Sequence, residues 1–199
     1  MEIKPDLILE NNAVLLRGIE TSDFENLLEF SLNEPEIWKY SLVRPIGNLG
    51  LEKYIEVALQ SKLAKTEFPF IVFDKTNGKY AGSTRFYDIN FEFKTLQLGY
   101  TWYGKNFQGT GLNKNCKYLL LEYAFEILKM ERVEFRADNS NTKSIAAMKS
   151  IGCKVEGVLR NNMPTPENER RSSIVLSILK SEWFDDVKTN LKTRLDMKI

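Results

Sequence analysis

Tyr103-Gly104-Lys105-Asn106-Phe107-Gln108-Gly109-Thr110-Gly111-Leu112-Asn113, residues 103–113, joins a stretch that reads as a strand to one that reads as a helix. Upstream, Thr95 to Tyr103 is rich in β-branched and aromatic residues, as a strand requires. Downstream, Leu112, Cys116, Leu119, Leu120, Tyr123, Ala124, Ile127 and Leu128 recur at the spacing of one helical face, and the pattern ends near Lys129. Glycines at such a junction let the main chain turn sharply and approach a ligand. The helix start adds unpaired N–H groups and the positive end of the dipole, and together these make an anion site. A tight turn with no ligand is the other reading of Gly109 and Gly111. Two known phosphate loops do not fit: Gly111 is followed by Leu112-Asn113 where the Walker pattern needs Lys-Ser/Thr, and the dinucleotide fingerprint needs a third spaced glycine.

Outward from this junction, Val133, Phe135 and Ala137 alternate with Arg132, Glu134 and Arg136, which predicts a strand over Arg132 to Ala137. Strand, helix and strand in that order imply a right-handed crossover to a parallel neighbour. Phe70 to Phe73 and Tyr80 to Ile89, separated by Asn77-Gly78, read as a hairpin whose meander continues into Thr95 to Tyr103. Near the start, Val14 to Arg17 reads as a strand. Ser22-Asp23-Phe24-Glu25 then has the Ser-x-x-Glu pattern of a capping box, opening a helix to about Leu32. Leu51, Ile55, Ala58, Leu59 and Leu63 mark a second amphipathic helix, and the loop between the two carries Pro35, Trp38, Tyr40 and Pro45. Those aromatics either cap the core or line a substrate pocket. Beyond the crossover come a helix over Thr142 to Ser150, stopped by Gly152, and strands over Lys154 to Leu159 and Ile174 to Leu179. A polar loop spans Pro164 to Asn168, and a closing helix over 182–197 carries Trp183, Val187, Leu191 and Leu195.

Composition narrows the function classes. A chain of 199 residues, 43% apolar and 28% charged, is expected to form one domain over 1–199 with its core over about 13–182. A formal charge of +1 with scattered lysines offers no basic field for nucleic acid. Tyr118 to Leu128, the longest apolar-rich stretch, is interrupted by Glu122 and Glu126, and the opening Met1-Glu2-Ile3-Lys4-Pro5 lacks a signal pattern. A cytoplasmic protein with no membrane partner is the expectation. There is no histidine, and Cys116 and Cys153 are far apart, so no metal site is expected and no His-dependent triad is available.

Gln108-Gly109-Thr110-Gly111-Leu112-Asn113 resembles the acetyl-CoA loop of the GNAT acetyltransferase superfamily, departing from it at Asn113. Leu98-Gly99-Tyr100, Asn141-Thr142-Lys143-Ser144, Ile151-Gly152-Cys153 and Glu156-Gly157-Val158-Leu159-Arg160 are similar, in order and spacing, to further segments of its ribosomal-protein N-terminal acetyltransferase branch. The resemblance implies an α+β fold. Its mixed sheet would have six to seven strands, splayed between the family's fourth and fifth, here those ending near Tyr103 and Ala137, with flanking helices. It implies an acetyl-CoA-dependent N-acetyltransferase acting on a primary amine, either a protein N-terminus or a small molecule, with a second copy of the chain as a candidate partner. A non-catalytic acyl-CoA-binding module is the alternative.

By the same resemblance, amides of Gln108, Gly109, Thr110, Gly111, Leu112 and Asn113 would hold the pyrophosphate. The main chain of Tyr100, Thr101 and Trp102 would polarise the thioester carbonyl. Asn141 would bond the pantetheine arm or simply cap its helix, Ser144 would protonate the leaving thiolate, and Lys105, Lys114 and Lys143 would meet phosphates or stay solvated. Many relatives carry an acid where this chain has Gln97, and an amide cannot accept a proton at useful pH. Glu134, Asp138 and Glu156 are the remaining carboxylates considered, with no base assigned.

Overall fold

The computed structural model describes residues 2–196; Met1 and 197–199, including the expected last residue of the closing helix, lie outside them. The chain runs through β1 (Ile8–Glu10), β2 (Val14–Gly18), α1 (Asp23–Asn33), α2 (Gly47–Leu63), β3 (Phe68–Asp74), β4 (Lys79–Asn90), β5 (Thr95–Tyr103) and α3 (Leu112–Glu122). A π-helical turn, Tyr123–Ile127, extends α3. Then follow β6 (Arg132–Asp138), α4 (Thr142–Ser150), β7 (Lys154–Pro164), β8 (Arg170–Leu179), α5 (Lys180–Glu182), a second π turn and α6 (Lys188–Asp196).

The strands form one eight-stranded sheet in the order β1-β2-β3-β4-β5-β6-β8-β7. Every neighbouring pair is antiparallel except β5 and β6, which α3 joins as a crossover. This is the mixed sheet expected, with eight strands in place of six to seven. The unforeseen strand is β1, only three residues long and paired with β2 through Leu9 and Leu16. Such a short piece carries no periodicity to read. β7 and β8 also run past their expected ends, so that the polar stretch from Pro164 is the tip of a long hairpin, not a free loop.

Consecutive strand residues point to opposite faces, and β5 shows what lies on each. Trp102 packs edge-on against Phe30 of α1 at 5.8 Å and against Trp38 at 5.2 Å, and its indole donates to Tyr54 of α2 at 3.4 Å. Thr101 meets Lys117 of α3. Helices α1 and α2 therefore cover one face and α3 the other. Trp38 is 1% exposed, which settles it as core. Leu63 and Ile127, placed on apolar faces by their spacing, are instead exposed at the ends of their helical segments, where no neighbour covers them.

The start of α1 is a further correction. Ser22 makes no capping hydrogen bond. Asp23 anchors the segment instead: buried completely, it receives both guanidinium nitrogens of Arg17 at 2.7 and 2.8 Å, the Glu20 amide ahead of the helix and Asn26.

Candidate active site

The parallel pairing of β5 with β6 ends early. Thr95, Leu96 and Gln97 face Arg132, Val133 and Glu134, and beyond Gln97 no residue of β5 has a partner on β6. The cause is a bulge. Between Ser83 and Arg85 the register with β4 shifts, and Tyr100 takes a left-handed φ of 49°. The bulge bends β5 away while β6 stays laddered to β8 as far as Asp138. A wedge opens between the two strands, and Tyr100, Thr101 and Trp102 lie along its edge.

At the wide end of the wedge β5 passes into the 103–113 junction. Gly104 lies against Phe30, whose ring a Cβ there would meet at 2.2 Å, so a larger residue would force α1 off the loop. Gln108 turns back and donates to the Tyr103 carbonyl at 2.9 Å, while Thr110 donates to the Phe107 carbonyl at 2.9 Å. Gly109 and Gly111 hold φ values of 76° and 100°, which glycine adopts without cost. Leu112 is buried, and its amide reaches the Thr110 hydroxyl at 3.3 Å. Among the described residues the amides of Gly109, Thr110, Gly111 and Asn113 have no hydrogen-bond partner. Four free donors at the positive end of α3 suit a pyrophosphate, so this chain's residues fit acetyl-CoA at the loop.

Other expected residues are distributed unevenly. Asn141 and Ser144 stand at the start of α4, just past the open end of β6; Asn141 Oδ1 accepts the Ser144 amide at 3.1 Å, so its capping role is present and its Nδ2 is left over. The three lysines differ in their surroundings. Lys105 pairs with Glu36, Lys143 is exposed, and Lys114 makes no ion pair among the described residues.

Two of the three carboxylates named from sequence are held in ion pairs. Glu134 bridges Arg132 and Arg136 at 2.8 and 2.7 Å. Glu156 is held down to about 2 by the Arg132 guanidinium and then by Ser177, so it is ionised and a very weak base. Asp138 accepts the amide and hydroxyl of Ser140. Gln97 donates to Asp88 at 2.8 Å and leaves its own carbonyl buried without a partner.

Sequence reading missed three features of the α1/α2 face. Arg85 lies beneath the rings of Tyr100 and Tyr54 at 4.6 and 5.4 Å and pairs with Glu67. Arg171 donates to the Tyr40 carbonyl at 3.2 Å, and Arg44 pairs with Glu167, so the loop after α1 is tied to the β7–β8 hairpin across this face. These partners stand far apart in sequence, and nothing local announces them. A cavity of about 330 Å³ between α4 and the closing helices, lined by Lys149, Asp186 and Arg194 among others, lies apart from the wedge.

The sequence profile of the family described as "Acetyltransferase (GNAT) domain" matches residues 13–154. A Bacillus subtilis (strain 168) protein named "Putative ribosomal N-acetyltransferase YdaF" is 30% identical over 107 residues, 54% of this chain and 57% of that one. The spermidine N(1)-acetyltransferase of Escherichia coli (strain K12) is 24% identical over 92% of this chain and 95% of its own. A crystal structure described as a "putative acetyltransferase" from T. thermophilus superposes with a TM-score of 0.84 at 31% identity, covering 98% of this chain and all of that one.

Proposed function

The chain belongs to the GNAT acetyltransferase family and is an acetyl-CoA-dependent N-acetyltransferase, and from that premise we propose that its acceptor is the α-amine of a protein or peptide N-terminus. The charge pattern of the α1/α2 face carries this reading. A polyamine brings further ammonium groups that need unengaged carboxylates. Here Glu67 is taken by Arg85, Glu134 by Arg132 and Arg136, Glu156 by Arg132 and Glu167 by Arg44, while Asp88 and Asp138 keep neutral partners alone. An N-terminal α-amine has a single charge to shed and a carbonyl beside it that guanidinium groups can meet. We read residues 1–199 as one catalytic unit working in the cytoplasm; no helix among the described residues is long and apolar enough to cross a membrane.

In this proposal the free amides of Gly109, Thr110, Gly111 and Asn113 hold the pyrophosphate. The arm follows the open edge of β5, with Asn141 Nδ2 as a further donor. Main-chain N–H groups at Tyr100 to Trp102 face the carbonyl where negative charge develops. The neutral amine forms the C–N bond, the C–S bond breaks with its electron pair on sulfur, and the proton shed by nitrogen is balanced by the one the thiolate takes up. Gln97 cannot remove that proton, so rate comes from positioning and from amine that is already neutral.

CoA release with a free-N-terminal peptide, the same peptide blocked at its N-terminus, and spermidine tests the acceptor. The free peptide is expected to exceed spermidine in kcat/KM by about tenfold or more, the size of one charge-assisted hydrogen bond; the reverse order would sink the proposal. Ser144 is proposed as the thiolate's proton donor. Ser144→Ala should lower kcat by roughly a hundredfold, the low end for general acid catalysis, with acetyl-CoA affinity unchanged. An unaltered kcat removes Ser144 from that role.

A further inference from the structure

Lys117 has no place in the chemistry described so far. It projects from α3 into the sheet and is 5% exposed. Its Nζ donates to the hydroxyls of Thr101 at 2.8 Å and Thr84 at 3.2 Å, which are themselves 2.8 Å apart. No carboxylate pairs with it among the described residues. An ammonium removed from water with only hydroxyl partners is costly to fold around, and a methionine would fill the same space without that cost.

The position explains what the cost secures. Thr84 and Thr101 face each other at the β4–β5 bulge, next to Tyr100, where the wedge toward β6 opens. The buried charge thus lies directly behind the main chain that borders the open edge. We propose that Lys117 is a positioning residue for acetyl transfer: it fastens Thr101 to Thr84 across the bulge, fixes the direction of the Tyr100–Trp102 amides, and sets a positive charge behind the thioester.

This inference rests on the placement of the thioester along β5. The charge opposes the negative charge that grows on the carbonyl oxygen and on the sulfur as it leaves with its electron pair; Lys117 itself gives up no proton to either.

Burial pushes Lys117 down to about 8. The titratable groups acting on it are Cys116 beside it on α3 and Cys153 after α4, while β4 and β5 present only hydroxyls. Burial pushes both thiols up to about 12, so they stay neutral while Lys117 titrates. The ammonium is therefore present below about pH 8 and lost above it, and its assistance falls as pH rises.

The test uses the full chain with coenzyme A and with desulfo-coenzyme A as probes, and compares wild type with Lys117→Met and Lys117→Arg. Thiolate absorbance of bound coenzyme A should show the thiol titrating about one unit lower in Lys117→Arg, whose charge persists through that titration, than in Lys117→Met, a tenfold difference in acidity. Desulfo-coenzyme A should bind both alike. Lys117→Met should melt no lower than wild type yet lose about tenfold or more in kcat, and Lys117→Arg, always charged, should lose the alkaline fall in rate near pH 8. A well-folded Lys117→Met protein with the thiol pKa of Lys117→Arg and a kcat within about twofold of wild type overturns the inference alone. Failure of wild type to bind either probe overturns it together with the site on which it rests.

Discussion

Gly111→Val is expected to weaken acetyl-CoA binding by about a hundredfold while leaving the protein folded. Gly111 holds a φ of 100° where α3 begins, and a side chain there is strained whatever space surrounds it. Valine adds a branched group among the amides of Gly109, Thr110 and Asn113, which have no other partner among the described residues. Losing two charge-assisted hydrogen bonds of about 1.5 kcal/mol each amounts to roughly 3 kcal/mol, or a hundredfold. Gly111→Ala carries the backbone strain without the bulk and should fall between the two. Calorimetric titration with acetyl-CoA decides the matter: wild-type affinity in a folded Gly111→Val protein would place the pyrophosphate elsewhere.

The same junction shows what a sequence can disclose. The bounds of Thr95–Tyr103 and Thr142–Ser150 and the start of α3 at Leu112 were legible because each depends on neighbours along the chain: a β-branched run, an Asn cap, a pair of glycines before an apolar stripe. The wedge itself was legible only through resemblance, since the bulge that opens it arises where β4 and β5 fall out of register. Lys117 shows a different limit. A lysine inside an apolar periodicity is ordinarily read as the solvent side of the helix. Yet Leu121 and Ala124, four and seven residues on, are both fully buried, so Lys117 belongs to a buried arc wider than the stripe first drawn. The bonds that tie Arg44 to Glu167 and Arg171 to Tyr40 could not have been foreseen, because they exist only once a hairpin folds back over a loop more than a hundred residues away.

The largest expected loss of stability lies far from the chemistry, at Asp23. Its carboxylate is completely buried and accepts four hydrogen bonds, two from Arg17, one from the Glu20 amide and one from Asn26. Asp23→Ala removes all four hydrogen bonds at once and leaves a guanidinium, itself only 22% exposed, without its counter-charge. Breaking a buried pair from one side costs about 3–5 kcal/mol, and the partial exposure of Arg17 argues for the lower figure. For a chain of this size that is a fall in Tm of roughly 10 °C. Ser22→Ala should change stability by less than about 0.5 kcal/mol, because Ser22 makes no capping bond. Helix α1 also carries Phe30, which stands edge-on to Trp102 and Phe107 and fills the space that Gly104 leaves. Asp23→Ala should therefore lose acetyl-CoA binding only as α1 loosens on heating, with near-native affinity at low temperature, whereas Gly111→Val should be weak at every temperature. If Ser22→Ala proved the more damaging of the two α1 variants, the helix would be held by the Ser-x-x-Glu box after all, and Phe30 would owe its position to Ser22 in place of Asp23.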